Sequence, residues 1–336
     1  MKSVWVACLY GAMLLQATSG YKVQARYPVP GDGGFDYLTI DSGARRLYVS
    51  HGTQVDVLDA DSGKVVGTIP DTPGVHGIAI ASDFKHGFTS NGTEDKVSMF
   101  DPSTLKLIKK IDVGRGPDGI CFDPRTQRIF TNNHGSHDIT AINAATGEVV
   151  GTVKAEGDGE QAIICADGLI YVNSEDTNEV VVFDPKTLEV RKCLPIEVAK
   201  TPTGLAYDPK TNRLFIGCRN EPKMAVMDAA TGKVIKTSPI GAHVDYAAFD
   251  PSSNLIFFSC GDGTLSIYRE TSADDYEDAG TVKTQPSAKT MAFDPKTKKI
   301  FLSAAEFQET PATDPSKRPR RSVKPGSFVV IVLDKF

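Results

Sequence analysis

The side chains best suited to acid–base or metal chemistry are histidines and carboxylates that lie far apart in the chain. Imidazole and carboxylate groups exchange protons near neutral pH or hold a divalent metal ion. Five of the six histidines fall near the ends of short apolar segments: His51, His76, His134, His137 and His243. No His-Glu-x-x-His spacing, Gly-x-Ser-x-Gly turn or phosphate-binding loop accompanies them. Any site must therefore be assembled from distant segments.

A repeat of 40 to 44 residues places these segments. Its clearest mark is an aromatic residue after an aliphatic one or its equivalent, at Tyr48, Phe88, Phe130, Tyr171, Phe215, Phe257 and Phe301. An alternating apolar run that ends in Asp or Asn follows most of these aromatic residues, as at 97–101 and 139–143. Turns of the type Asp-Pro or Thr-Gly-Lys separate the runs, so each unit is predicted to hold four short strands.

Seven units of four strands predict an all-β, seven-bladed β-propeller. The last unit stops at its third strand, over 328–334, while 22–28 (KVQARYP) resembles the fourth strand at 64–70 (KVVGTIP). The N-terminal strand is therefore expected to complete the last blade and close the ring, which leaves no long open edge. Residues 21–336 are predicted to form this single domain.

The blade motifs resemble those of a known family. The segments 46–50 (RLYVS) and 169–173 (LIYVN), together with turns such as 61–64 (DSGK), are similar to those of the YVTN-repeat, YncE-like β-propellers. The resemblance covers residues 21–336. It implies a seven-bladed propeller in an exported protein, often one with no assigned activity.

Residues 1–20 have the pattern of a secretory signal peptide. Lys2 precedes an apolar run from Val4 to Leu15, and small residues follow it. The run is too short to span a bilayer comfortably, and no later segment is expected to cross one. The mature protein is therefore predicted to be periplasmic or secreted. Its five cysteines, flanked mostly by apolar residues, are interpreted as small core residues, with at least one free thiol in a monomer.

The repeat sorts polar residues onto one face of the propeller. The starts of the innermost strands are predicted to place Asp36, His76, Asp118, Gln161, Thr203, Asp245 and Lys289 there. The ends of the neighbouring antiparallel strands add further residues to the same face. A polar central funnel is predicted, with these binding residues: His51, His76, Asn91, Asn133, His137, Glu175, Arg219, Asn220, Asp245 and Glu306.

A basic insertion interrupts the last blade over 305–327. Three prolines and the run 317–321 (KRPRR) predict an irregular segment that emerges on the funnel face. A solvated loop and a cationic arm for nucleic acid, an anionic glycan or a partner protein are both compatible with it. Aromatic residues are sparse beside it, which gives nucleic-acid binding little support. A net charge of −5 likewise provides no overall attraction to nucleic acid or anionic lipid.

The favoured interpretation is an exported, non-catalytic binding or scaffold propeller. Its partner would be a small polar ligand or another protein, and no cofactor is predicted. The alternative is a metal-assisted hydrolase, lactonase or lyase in the same funnel, with a divalent ion and pairs such as His76–Asp245 or His137–Glu175. A quinone-cofactor dehydrogenase is disfavoured because the one tryptophan, Trp5, lies in the leader, whereas such propellers use repeated tryptophans to dock their blades.

Overall fold

Seven four-stranded antiparallel sheets follow one another around a central channel in the computed structural model, which describes residues 19–310 and 320–336. The predicted seven-bladed β-propeller is confirmed. The predicted signal peptide over 1–20 lies outside the described residues apart from its last two positions, and the structure does not bear on it.

The first strand, β1, spans Tyr21–Pro28. Blade 1 contains β2 (Leu38–Asp41), β3 (Arg46–His51), β4 (Gln54–Asp59) and β5 (Val65–Ile69). Blade 2 contains β6 (Val75–Ala81), β7 (His86–Asn91), β8 (Lys96–Asp101) and β9 (Lys106–Asp112), with a 3₁₀ turn at Ser82–Phe84. Blade 3 contains β10 (Pro117–Asp123), β11 (Arg128–Asn133), β12 (Asp138–Asn143) and β13 (Val149–Val153).

Blade 4 contains β14 (Gly159–Ile164), β15 (Ile170–Ser174), β16 (Glu179–Phe183) and β17 (Val190–Pro195). Blade 5 contains β18 (Pro202–Asp208), β19 (Arg213–Cys218), β20 (Lys223–Asp228) and β21 (Val234–Pro239). Blade 6 contains β22 (Val244–Asp250), β23 (Leu255–Cys260), β24 (Thr264–Glu270) and β25 (Tyr276–Lys283). Blade 7 contains β26 (Met291–Phe293), β27 (Ile300–Ala304) and β30 (Val329–Lys335), and the insertion within it carries β28 (Phe307–Thr310) and β29 (Arg320–Val323).

Strand β1 completes blade 7, as the sequence predicts. It pairs antiparallel with β30, from Tyr21 opposite Lys335 to Pro28 opposite Val329. The two ends of the chain are thereby joined by backbone hydrogen bonds, and β30 is not left as an open edge.

The repeated aromatic residues lie in the hydrophobic core between neighbouring blades. All seven are 0–2% exposed: Tyr48, Phe88, Phe130, Tyr171, Phe215, Phe257 and Phe301. Burial of each side chain contributes about 2–3 kcal/mol through the hydrophobic effect. The repeat therefore marks the residues that hold the blades together, which explains why it was visible in the sequence.

The repeated Asp-Pro turns end the innermost strands at the opposite face. Their aspartates, Asp123, Asp208, Asp250 and Asp294, are at most 4% exposed. In blade 5, Asp208 accepts hydrogen bonds from Lys210 N at 3.0 Å and from the Thr211 hydroxyl at 2.8 Å. These carboxylates therefore stabilise the turns by accepting hydrogen bonds, which is the usual role of aspartate at such positions.

The five cysteines of the described residues are all free thiols. Cys165, Cys218 and Cys260 are buried as core residues, Cys121 is half-buried, and Cys193 is exposed on β17. Among residues 19–310 and 320–336, no helix is long and apolar enough to cross a membrane.

The flanks of the insertion are regular, although the sequence predicted an irregular segment. Phe307 pairs with Val323 and Glu309 with Arg321 in an antiparallel hairpin. The Arg321 guanidinium lies 4.1 Å from the centre of the Phe307 ring, and that ring lies 6.3 Å from Phe35. These contacts anchor the hairpin to the body, while 311–319 falls outside the described residues.

Candidate functional site

One mouth of the central channel is lined by a side chain from the start of each innermost strand. By strand register, these are Asp36, His76, Asp118, Glu160, Thr203, Asp245 and Lys289. Six of them match the sequence prediction. In blade 4 the position belongs to Glu160, one residue before the predicted Gln161.

A β-bulge positions this residue in five of the blades. The pairing of the first two strands shifts register between Val75 and Ile78, which bracket His76, and between Val244 and Tyr246, which bracket Asp245. Equivalent shifts occur in blades 3, 4 and 5. A bulge inserts an unpaired residue and redirects its side chain, so the repeat presents a polar group to the channel at the same height in each blade.

A second set of side chains comes from the residue directly after the second strand of each blade. His134, Glu175 and Arg219 occupy this position in blades 3, 4 and 5, directly after β11, β15 and β19. In blade 2 the position is Gly92, where an added Cβ would lie 2.9 Å from His76 Nε2. The absent side chain therefore makes room for the imidazole.

Together these two positions form the charged ring, which consists of Asp36, His76, Asp118, His134, Glu160, Glu175, Arg219, Asp245 and Lys289. Every blade contributes at least one member. The ring divides into a sector rich in histidine and carboxylate, from blades 1 to 4, and a cationic sector around Asp245, from blades 5 to 7.

In the first sector, two histidines flank one aspartate. His76 Nδ1 lies 2.7 Å from Asp36 Oδ2 and 3.6 Å from Asp118 Oδ2, and His134 Nδ1 lies 3.7 Å from the same Asp118 oxygen. Burial opposes the charged form of His76, but the Asp36 hydrogen bond and the Asp118 charge outweigh it and raise the imidazole pKa. Burial and the nearby Asp36 charge raise the pKa of Asp118. His76 and Asp118 therefore keep their protons to a higher pH than the isolated side chains would.

In the cationic sector, Asp245 is held between two bases. Its side chain is 3% exposed; one oxygen contacts Arg219 Nη2 and the other lies 2.5 Å from Lys289 Nζ. Arg219 also reaches Glu175 Oε1 at 3.2 Å. Burial opposes the charge on Lys289, but Asp245 and Asp36 outweigh it and raise the lysine pKa. Lys289 and Arg219 therefore remain cationic while part of each side chain faces solvent.

Glu160 is the buried acid of the ring. It is 7% exposed, and burial, a hydrogen bond with Glu175 and the charge of Asp118 raise its pKa well above the usual value. The Tyr37 hydroxyl donates to Glu160 Oε2 at 3.1 Å. Below this contact, Gln161 Nε2 donates to the Ala247 carbonyl at 3.0 Å, and the Tyr37 ring packs edge-on against Tyr246. These side chains narrow the channel beneath the mouth to a cavity of about 60 Å³.

Four of the predicted binding residues belong to the charged ring: His76, Glu175, Arg219 and Asp245. Three others lie inside blades. His51 is 2% exposed and its Nδ1 lies 2.7 Å from Asp56, while Asn91 and Asn133 donate within their own blades to Ser98 and Asp138. Each is the last residue of a second strand, and the side chain there points into the blade. The residue that faces the channel comes one position later.

The remaining three predicted residues lie on the outer rim. His137 is exposed and its Nδ1 lies 3.0 Å from Asp158 Oδ1, Asn220 is exposed in a turn, and Glu306 pairs with Lys324 at 2.7 Å. In the two suggested acid–base pairs, each histidine lies beside a different carboxylate from the one expected. His76 hydrogen-bonds with Asp36 instead of Asp245, and His137 lies beside Asp158 instead of Glu175.

Sequence reasoning missed Glu160 and Tyr37. The sequence analysis placed Gln161 at the channel-facing position of blade 4, which Glu160 occupies one residue earlier. The error arises because a bulge shifts the register that strand alternation alone would give. Tyr37 follows Asp36 directly, and no local signal shows that its hydroxyl reaches a blade on the far side of the channel.

Two groups of side chains have the chemistry to hold a metal ion. The ligand atoms of Asp36, His76 and Asp118 lie within 4.8 Å of one another in the charged ring, as do those of His137, Asp158 and Asp176 on the rim. Mixed imidazole and carboxylate sets suit divalent transition metals. Nothing in their sequence spacing identified these groups, because in each the ligands come from two or three different blades.

The arrangement of seven closed blades around a polar mouth defines a seven-bladed β-propeller. A family model described as YNCE-like beta-propeller matches residues 76–305, and the chain belongs to that family. The uncharacterized protein YncE of Salmonella typhi is 23% identical over 191 residues, which cover 55% of this chain and 53% of that protein. YncE of Escherichia coli O157:H7 is 26% identical over 151 residues, covering 41% of this chain and 42% of that protein. The chain thus spans about half the length of the curated relatives it matches.

Solved structures confirm the fold and no more. A chain of Kuenenia stuttgartiensis hydrazine synthase superimposes with a TM-score of 0.71 at 17% identity, over 89% of this chain and 98% of that one. A chain of the mitotic checkpoint complex gives a TM-score of 0.72 at 16% identity, over 90% and 94%. At such identities the likeness shows a shared architecture, which hosts many unrelated functions.

Proposed function

We propose that this protein is an exported, non-catalytic binding propeller whose charged ring holds a small polar ligand bearing both a positive and a negative group. The observation that carries the proposal is the convergence of nine ionisable side chains from all seven blades on one channel mouth. A cationic sector and a carboxylate–histidine sector face each other there.

The physical argument concerns which charges are free to bind. Asp245 is neutralised by Arg219 and Lys289, but the Lys289 side chain is 40% exposed and Arg219 27%. Glu175, which contacts Arg219 at 3.2 Å, is 29% exposed, and His76 is 37% exposed. An acidic ligand group can bond the two bases while a basic group bonds the carboxylates, in a concavity that lowers the effective dielectric constant.

The test is a thermal-shift survey of cationic, anionic and zwitterionic metabolites, followed by calorimetry on the compounds that bind. Glu175→Gln and Lys289→Met each remove one ring charge. Each is expected to weaken the binding of a zwitterionic ligand at least tenfold, or about 1.4 kcal/mol. Glu306→Gln and Lys324→Gln alter an exposed pair outside the ring and serve as matched controls. Equal affinities in ring and control variants would refute the proposal.

Export is part of the same proposal and has its own test. Expression of the full chain with its leader, followed by N-terminal sequencing of the periplasmic or secreted product, is expected to give a mature start near residue 21. A protein recovered only from the cytosol with residues 1–20 intact would contradict it.

The second candidate is a metal-assisted hydrolase, lactonase or lyase, which the trio Asp36, His76 and Asp118 favours. Asp36 Oδ1 is buried without a hydrogen-bond partner in the described residues. A divalent ion at the trio would polarise a carbonyl or lower the pKa of a bound water. His134 Nδ1, 3.7 Å from Asp118, stands beside the trio as a further ligand or a base.

Metal content separates the two candidates. Mature protein purified without chelators or a histidine tag is assayed by elemental analysis, with His76→Ala and the rim variant His137→Ala as a matched pair. About one ion per chain, lost in His76→Ala and kept in His137→Ala, would favour the enzyme. Protein without metal that still binds a zwitterion would favour the binding module.

A further inference from the structure

A wide cavity, which we call the bowl, lies at the end of the channel opposite the charged ring. This bowl has a volume of about 870 Å³ and is lined by the ends of the innermost strands of blades 3 to 7. Its size falls in the range of about 300–1,000 Å³ that is usual for small-molecule sites. The charged ring plays no part in it.

The walls of the bowl are apolar and largely aromatic. Tyr207, Tyr246, Phe249 and Phe293 line it, with Ile163 and Ile164 between them. All six are half-buried, so each presents one surface to the cavity while the rest of the side chain packs in a blade. Aromatic walls favour a flat, aromatic ligand, because offset or edge-to-face ring contacts add about 0.5–1.5 kcal/mol beyond burial.

Gln161 closes the floor of the bowl. Its amide oxygen accepts from Leu205 N at 2.9 Å and from Ala247 N at 3.1 Å, and its nitrogen donates to Ala247 O. Tyr246 packs there against Tyr37, which reaches the charged ring. The polar groups of the floor are thus engaged with the protein, and the bowl is a compartment separate from the mouth.

The rim of the bowl carries cations at a repeated position. In blades 3, 5 and 7 the turns are Asp-Pro-Arg-Thr or Asp-Pro-Lys-Thr, and their third residues, Arg125, Lys210 and Lys296, are exposed. The aspartates of these turns are at most 4% exposed and bond within the turn. Their negative charge is therefore balanced mainly by hydrogen bonds within the turns.

Of the three rim cations, only Arg125 has an acidic partner among the described residues, because its Nε lies 3.2 Å from Asp123 Oδ1. Blade 4 has Asp167 at the repeated position, but this carboxylate accepts from the Tyr171 hydroxyl at 2.8 Å and from Leu169 N at 3.0 Å. Blade 6 has the neutral Ser252 there. The exposed charges at the rim are thus the cations Lys210, Lys296 and the paired Arg125, together with one engaged acid, Asp167, a combination that complements an anion with an apolar body.

We propose that this bowl binds an aromatic organic anion, whose rings pack among Tyr207, Phe249 and Phe293 and whose acidic group lies at the basic rim. The site is independent of the charged ring. Its ligand differs in chemistry from the zwitterion proposed there, because the bowl offers ring surfaces and cations where the mouth offers both charges.

A matched pair of fluorescent probes tests this proposal. The anion 8-anilinonaphthalene-1-sulfonate and the uncharged N-phenyl-1-naphthylamine differ by the sulfonate alone. The native protein is expected to bind one equivalent of the anion saturably, at least fivefold more tightly than the neutral probe. The double variant Lys210→Gln, Lys296→Gln is expected to abolish this preference while it leaves the neutral probe unaffected.

Two variants locate the probe. Ala248 is half-buried in the wall, and Ala248→Trp is expected to fill the cavity and reduce binding of both probes more than tenfold. Ala166 is exposed at the rim, so Ala166→Glu does not disturb the core. It is expected to weaken binding of the anion about tenfold and to leave binding of the neutral probe unchanged. Unchanged anion binding in Ala166→Glu would overturn the proposal even if Ala248→Trp failed to fold.

Controls separate the bowl from other surfaces. Lys106→Gln removes an exposed lysine far from the bowl, and Val149→Ser removes an exposed apolar side chain on an outer strand. Both variants are expected to bind the probes as the native protein does. Loss of binding in Val149→Ser, or equal affinity of the native protein for the two probes, would overturn the assignment.

Discussion

The Tyr37 hydroxyl donates a 3.1 Å hydrogen bond to Glu160 Oε2 and so connects blade 1 to blade 4 across the central channel. These blades are not neighbours, and the bond therefore spans the axis of the ring. Both side chains are less than 9% exposed. The buried acid needs such a donor, because an unpaired polar group away from water costs about 1–3 kcal/mol.

The free energy of unfolding of Glu160→Gln is expected to increase relative to that of the native protein as the pH rises. The folded-state pKa of Glu160 is raised above the usual 4.5, so ionisation favours the unfolded chain. The contribution of Glu160 to stability is therefore fully present below that value and is lost as the pH rises through the folded-state pKa, whereas glutamine stays neutral. Urea midpoints at pH 4, 6 and 8 measure the difference.

The matched control for that series is Glu306→Gln. Lys324 lowers the pKa of this exposed carboxyl, so its small contribution has the opposite sign and appears as the pH rises. A difference between Glu160→Gln and native protein that stays constant from pH 4 to pH 8 would show that Glu160 ionises as freely in the folded state as in the unfolded one.

Arg219→Leu is expected to lower the free energy of unfolding by about 2 kcal/mol, because Asp245 is buried and would keep Lys289 as its one remaining cation. The surface arginine Arg191, 42% exposed and paired with Asp184, provides the comparison. Arg191→Leu should change stability much less than Arg219→Leu does, because an exposed ion pair is screened by solvent. Denaturant unfolding at pH 7 compares the two, and equal losses would argue against a special role for the buried pair.

Gly63→Ala is expected to loosen the ring closure. Gly63 has φ +72°, and an added Cβ would lie 2.1 Å from the Tyr27 ring of β1, whose hydroxyl donates to Asp61 O at 3.0 Å. The strained backbone and the clash together should cost at least 2 kcal/mol. Gly34→Ala, where nothing lies within 4 Å, should be nearly neutral in the same thermal melts. A neutral Gly63→Ala would mean that β1 shifts freely.

Thiol titration should find one fast-reacting cysteine among the five that the described residues contain. Cys193 is exposed, whereas burial raises the pKa of Cys121 to about 12 and Cys218 and Cys260 are buried in core clusters. Ellman's reagent is expected to modify one thiol within minutes and the others after denaturation. Cys193→Ser should remove the fast phase, and a fast phase that persists would mean that a core opens.

The charged ring shows where sequence reasoning succeeds and where it stops. His76 and Asp245 were placed correctly because equivalent positions of a repeat occupy equivalent places in a closed ring. His51 was misplaced because successive side chains of a strand point to opposite sides, so an error of one residue reverses the direction. Gly52, which follows it, contributes no side chain to the channel.

The number of blades, the closure by β1 and the identity of the core aromatic residues follow from the sequence by itself, since each depends on local periodicity repeated seven times. Tertiary structure alone decided that Tyr37 meets Glu160, that Arg219 and Lys289 share Asp245, and that an apolar bowl opens opposite the ring. These features arise where closure brings together single side chains from distant blades. A repeat records what its units have in common, whereas such contacts depend on the residues in which they differ.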